Sequence, residues 1–161
     1  VVSSNDAHCL QSREYIGTAQ VEGWAQFYAA AALNYRDESD CGFAYYKEML
    51  LREIDIDLLY HPPKKVKCDF KAKYMETYCP RSARGTEWDW LVFFRNVWAD
   101  GTHRYDVAEL AEVWRETGYP ADTTVGQTWA DLMDAVEDLH GVNTSKSNQF
   151  DTKGVAAGVA Y

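Results

Sequence analysis

Residues 13–35 read REYIGTAQVEGWAQFYAAAALNY, and whether they form one helix decides the fold. Tyr15, Ala19, Phe27, Ala31 and Tyr35 recur at helical steps and make one apolar face. Ser12 can cap the amino end, so the pattern predicts a helix over residues 12–35. The alanine run at 29–32 has high helix propensity and permits close approach of a neighbouring helix. Glu14, Thr18, Glu22 and Gln26 are spaced by four and share a second stripe. Gly23 costs about 0.8–1 kcal/mol of helix propensity relative to Ala. A glycine there implies that something approaches the backbone beside Glu22. Glu22 is then either a solvated carboxylate next to a packing glycine or a group with chemistry to do.

Composition narrows the classes. The chain has 161 residues, six Trp and eleven Tyr, enough length and core material for one domain. Its formal net charge is -9, and no run of Lys or Arg exceeds the pair Lys64 and Lys65. Nucleic acid and anionic membrane surfaces need clustered positive charge, so neither is expected as a partner. No apolar run approaches the roughly 20 residues of a membrane span. The sequence starts at Val1 without Met or a signal peptide, as a processed chain, an excised domain or an incomplete sequence would.

Four cysteines, Cys9, Cys41, Cys68 and Cys79, lack the C-x-x-C spacing of zinc or redox sites. Two disulfides are expected, with free buried thiols as the alternative, and oxidised cysteines would place the protein outside the cytoplasm. Cys68 with Cys79 would close a short loop and Cys9 with Cys41 would tie the ends of the long helix. The spacing does not choose among the three connectivities.

Further along, FAYYKEMLLREI (43–54) is expected to be a shorter helix, with a strand as the alternative for its first half. Residues 57–84 hold three of the four prolines and two cysteines, and are expected to be a long irregular, disulfide-stapled loop. Helical order returns at TEWDWLVFFRNVWADG (86–101), with Thr86 as cap, Trp90, Leu91, Phe94 and Trp98 as the apolar face, and Gly101 as stop. Two more helices follow, one from Asp106 to Gly118 and one from Thr128 to Gly141. A last short helix, weakened by Gly154, is expected in SNQFDTKGVAAGVA. The fold expected is one all-α or mainly α domain spanning 1–161.

Residues 8–27, HCLQSREYIGTAQVEGWAQF, resemble the second helix of gluzincin-type zinc metallopeptidases, where an E-G-x-A element supplies a glutamate zinc ligand. Three blocks in order, S-R-E-Y (12–15), S-D-C-G-F-A-Y-Y-K (39–47) and R-G-T-E-W-D-W-L-V-F-F (84–94), resemble a group of secreted bacterial zincin-like proteins. The F-D-x-x-x-x-A-x-G-V tail extends the likeness more weakly. The resemblance implies that Glu22 is a zinc ligand and that the chain is the carboxy-terminal helical lobe of a secreted hydrolase acting on peptides. It also implies an active-site wall made by the long helix and the helix starting near Thr86. Glu87 or Asp89 would then face the metal cleft, as proton donor or as a carboxylate behind the ligands. Glu14, Gln26 and Arg84 would orient the metal-binding side chains.

One departure is large. The histidines are His8, His61, His103 and His140, and none belongs to an H-E-x-x-H, in which i, i+4 imidazoles and a Glu base form the catalytic zinc site. Zinc is therefore expected only with a partner, an amino-terminal half or second chain bearing that motif. On residue types alone, Asp89 pairs with Arg84 or caps its helix, His61 and His103 look structural or exposed, and His8 is expected in a surface loop, with a place lining a cleft as the alternative. The rival reading is a non-catalytic, disulfide-stabilised helical binding or structural module whose contact surface is the 57–84 loop.

Overall fold

The Ala-rich stretch does form the longest helix among the described residues. The computed structural model describes residues 14–33, 84–85, 87–99, 101–118 and 128–160, and these are mainly helical. Five helices lie among them: α1 (Ile16–Leu33), α2 (Glu87–Ala99), α3 (Val107–Glu116), α4 (Trp129–His140) and α5 (Ser145–Ala157). Two short strands, β1 (Glu14–Tyr15) and β2 (Arg84–Gly85), pair antiparallel, with Glu14 opposite Gly85 and Tyr15 opposite Arg84. This pairing is why α1 begins at Ile16 rather than at residue 12. The backbone of Glu14 and Tyr15 belongs to a ladder instead of a first helical turn. The expected element at 43–54, the loop before Arg84, the caps Ser12 and Thr86, and Cys9, Cys41, Cys68 and Cys79 lie outside the described residues.

The centre is α2. Nearly every one of its side chains is buried, including Trp88, Trp90, Leu91, Val92, Phe93, Phe94, Val97 and Trp98, and only Arg95 and Asn96 reach halfway to solvent. A helix apolar on all sides belongs inside a fold. It packs against α1 on one flank and α5 on another, while α4 packs on both α3 and α5. Aromatic rings carry these contacts. Trp24 of α1 meets Phe94 edge-on at 5.1 Å and stacks on Trp114 of α3 at 6.3 Å. Phe93 meets Phe150 of α5 at 5.0 Å and Trp129 of α4 at 5.4 Å, both edge-on. The buried Tyr105 fixes the α2–α3 connection, its backbone N–H donating to the Val97 carbonyl at 3.1 Å.

Helix ends follow the sequence signals closely. Asp106 and Glu109 form a reciprocal capping box on α3, and Thr128 and Asp131 form one on α4. The Asp131 carboxyl is held below its usual range by its hydrogen bonds to Thr128. Asp106→Ala is expected to destabilise the protein by about 1 kcal/mol, the usual worth of an N-cap side chain. Asp106→Asn should recover most of that in the same urea titration.

The tail differs from expectation in an informative way. α5 runs for 13 residues despite Gly154, capped by Thr144 and ended by Gly158 in the left-handed conformation. A Cβ on Gly154 would fall 2.0 Å from the Trp129 ring. The lost helix propensity admits that ring, which stacks on Phe150 at 5.6 Å and donates from Nε1 to Asp151 at 3.0 Å.

Candidate functional site

The residues singled out by the E-G-W-A-Q and T-E-W-D-W stretches meet where α1 crosses α2. Gly23 makes the crossing possible. A Cβ there would lie 2.6 Å from Trp90 Cβ, 2.8 Å from the Glu87 carbonyl oxygen and 3.1 Å from the Leu91 nitrogen. The first two are closer than a Cβ can approach and the third is tight, and two of the three atoms are backbone. The close approach inferred from Gly23 is thus that of a helix.

The crossing is polar at one end. Gln26 Nε2 donates to Glu87 Oε2 at 2.6 Å. Glu87 and Asp89 are 2% and 0% exposed, and Gln20 of α1 is buried as well. Carboxylates this deep must be hydrogen-bonded, and Gln20, Glu87 and Asp89 each engage at least one further neighbour. As acids in the first turn of α2, Glu87 and Asp89 also lie where the helix dipole favours negative charge. Two polar atoms of the crossing, Gln26 Oε1 and Trp90 Nε1, are buried and have no hydrogen-bond partner among the described residues.

Glu22 sits on the rim of this seam. Around α1, Ala19, Gly23, Phe27 and Ala30 face the core, while Val21, Ala25, Tyr28 and Ala32 are exposed. Thr18, Glu22 and Gln26 are half-buried between them at the edge of the α1–α2 interface, while Glu14, the first member of the expected stripe, belongs to β1 instead. Glu22 is not a free surface carboxylate, since it too has a neighbour to interact with. Glu14 and Arg84 belong to the same β1–β2 ladder, Glu14 opposite Gly85 and Arg84 opposite Tyr15. The expected pairing of Asp89 with Arg84 involves a side chain outside those described.

Chemically, the seam offers one half-buried carboxylate, two buried ones and two carboxamides. A zinc site takes three protein ligands, and a catalytic one keeps a further position for water. Among the described residues no group of three or more His, Cys, Asp and Glu is placed to hold a metal. His103 is exposed, and His140 packs edge-on against Tyr105 at 5.0 Å.

Gln20 escaped the sequence reading. It is in phase with Ile16, Gly23, Phe27 and Ala30, and a polar residue inside an apolar face was the available signal. A second cluster, Tyr105, Glu109, His140 and Lys146, escaped because it joins three helices and has no local pattern. No protein-family model, curated protein or solved structure matches this chain.

Proposed function

We propose that the α1–α2 pair is part of the carboxy-terminal lobe of a zinc metallopeptidase-like protein, with Glu22 as a zinc ligand. Two histidines from an amino-terminal half or a second chain would complete the set, and peptide would be the substrate. The observation that supports this reading is convergence. Glu14 and Tyr15 of the first block, the E-G-W-A-Q of α1 and the described residues of R-G-T-E-W-D-W, about 70 positions beyond the first block, meet through the β1–β2 pair, the Gly23 crossing and the Gln26–Glu87 hydrogen bond. Bound zinc would polarise a scissile carbonyl and activate water. This chain's own contribution would be positional. Of the two roles open to Glu87, its burial favours a carboxylate that holds Gln26 over a proton donor facing substrate. Asp89, fully buried, would likewise support the helix that carries Glu87.

Glu22→Gln tests the ligand role in the assembled protein. Zinc affinity should fall by more than about 100-fold, since even a partner behind a ligand is worth 10–100-fold. Unchanged zinc affinity would rule out Glu22 as a ligand.

A second reading has its own support. Gly23 is fully explained by helix packing, and Glu87 and Asp89 by buried hydrogen bonding, as in a non-catalytic helical binding or structural module. In that case Glu22→Gln would leave metal content and stability alike untouched.

A further inference from the structure

Away from the α1–α2 seam, α3, α4 and α5 converge on a compact aromatic and charged cluster. Tyr105, fully buried, donates from its hydroxyl to the Lys146 carbonyl in the first turn of α5 at 3.2 Å. The Lys146 ammonium lies 4.6 Å from the centroid of the Tyr105 ring and is ion-paired with Glu109 of α3. Phe150 packs on the same ring at 5.4 Å. His140, the last residue of α4, meets Tyr105 edge-on, with centroids 5.0 Å apart and ring planes at 89°. Its Nε2 is buried and makes no hydrogen bond among the described residues.

We propose that this junction is an acid-sensitive latch, in which charging His140 loosens the end of α4 from Tyr105 and from the first turn of α5.

A neutral imidazole needs only one of its nitrogens to carry a proton, so a silent buried Nε2 is tolerated as an unprotonated atom. In the imidazolium both nitrogens are donors. A charged His140 would then bury an N–H without an acceptor and place a second cation in the cluster that holds the Lys146 ammonium. Opposing groups among the described residues are the Glu109 and Glu112 carboxylates of α3 and the carbonyl end of α4 itself, which favour positive charge. Glu109 is already engaged by Lys146, and Glu112 is exposed and pairs with Arg115 at 3.3 Å. Burial pushes Glu109 up, but the Lys146 hydrogen bond and charge hold its carboxyl below the usual range. The ion pair therefore survives the mild acid that would charge a histidine. Burial, and after it the Lys146 charge, hold the His140 imidazole below its ordinary pKa despite Glu109 and Glu112.

The sign follows by linkage. A folded-state pKa below the unfolded one gives stability that is complete above the ordinary imidazole value of about 6.5 and is lost as pH falls through it. Acid should act on the α4–α5 end first, because that is where the ring is seated.

The test is a pair of unfolding titrations of the full chain at roughly pH 7.5 and pH 5.5, which bracket histidine titration. They would be accompanied by amide exchange on α5. The wild type should lose stability at the lower pH, with α5 amides opening severalfold faster after correction for intrinsic exchange. His140→Gln, uncharged throughout, should flatten both responses, whereas His103→Gln, at an exposed position, should leave them as in the wild type. Equal pH dependence in wild type and His140→Gln would overturn the latch. Should His140→Gln fail to fold, an NMR titration of the unaltered imidazole decides. A midpoint at or above the ordinary value would overturn the proposal, and one below it would support it.

Discussion

Phe93→Ala is expected to destabilise the protein by about 3–5 kcal/mol, the range for removing a fully buried aromatic ring. Phe93 is the ring through which α2 holds the carboxy-terminal helices. It contacts Trp90 and Phe94 on its own helix, Trp129 on α4 and Phe150 on α5, at centroid distances of 5.0–5.8 Å. Truncation loses the transfer energy of the ring and leaves a cavity that four other rings cannot close without moving. For a domain of this size the loss corresponds to a drop in Tm on the order of 10 °C. Unfolding by urea, followed by Trp fluorescence and by circular dichroism, would measure it. Phe93→Leu should cost far less, because most of the volume stays filled. A loss below about 1 kcal/mol for the alanine variant would mean that Phe93 is not at the centre of the core.

Gly23→Ala should also be destabilising, although in an isolated helix it would stabilise by about 0.8–1 kcal/mol. The added methyl meets Trp90 Cβ at 2.6 Å and the Glu87 carbonyl oxygen at 2.8 Å, so α1 and α2 must separate to admit it. Overpacking of this kind costs about 1–3 kcal/mol and occasionally more, and contact with backbone puts this site at the upper end. The separation would also stretch the Gln26–Glu87 hydrogen bond, leaving a buried carboxylate less well held. Thermal unfolding of Gly23→Ala beside Ala25→Gly, an exposed position on the same helix, separates packing from propensity. A stabilised Gly23→Ala would contradict the helix crossing described.

Local structure was legible in the sequence where local physics decides it. The capping boxes at Asp106 and Thr128, the positive-φ stops at Gly118 and Gly141, and the core face bearing Ala19, Phe27 and Ala31 all follow from residue type and spacing. So does the apolar face of α2. The burial of Trp88, Val92 and Phe93, outside the face named from spacing, comes from the place of α2 between α1 and α5. The features that stayed hidden depend on distant pairing. Glu14 and Tyr15 leave the helix because Arg84 and Gly85 lie beside them, a partner roughly 70 residues away that no local pattern encodes. Gly154 looked like a weakness because its benefit comes from Trp129, on another helix. At the candidate site, the sequence pointed to a close approach beside Gly23, and α2 is what approaches. The sequence did not show that Glu87 and Asp89 are buried, because a carboxylate's depth is set by what packs over it.

The central functional claim is that Glu22 binds zinc together with histidines this chain does not carry. Its most direct test is the zinc content and composition of the intact protein from its natural source. One zinc per copy, in a species larger than the 18.4 kDa of this chain and containing an H-E-x-x-H segment, is the expected result. A lone 18.4 kDa chain that carries no zinc and takes up none at micromolar zinc would contradict the claim.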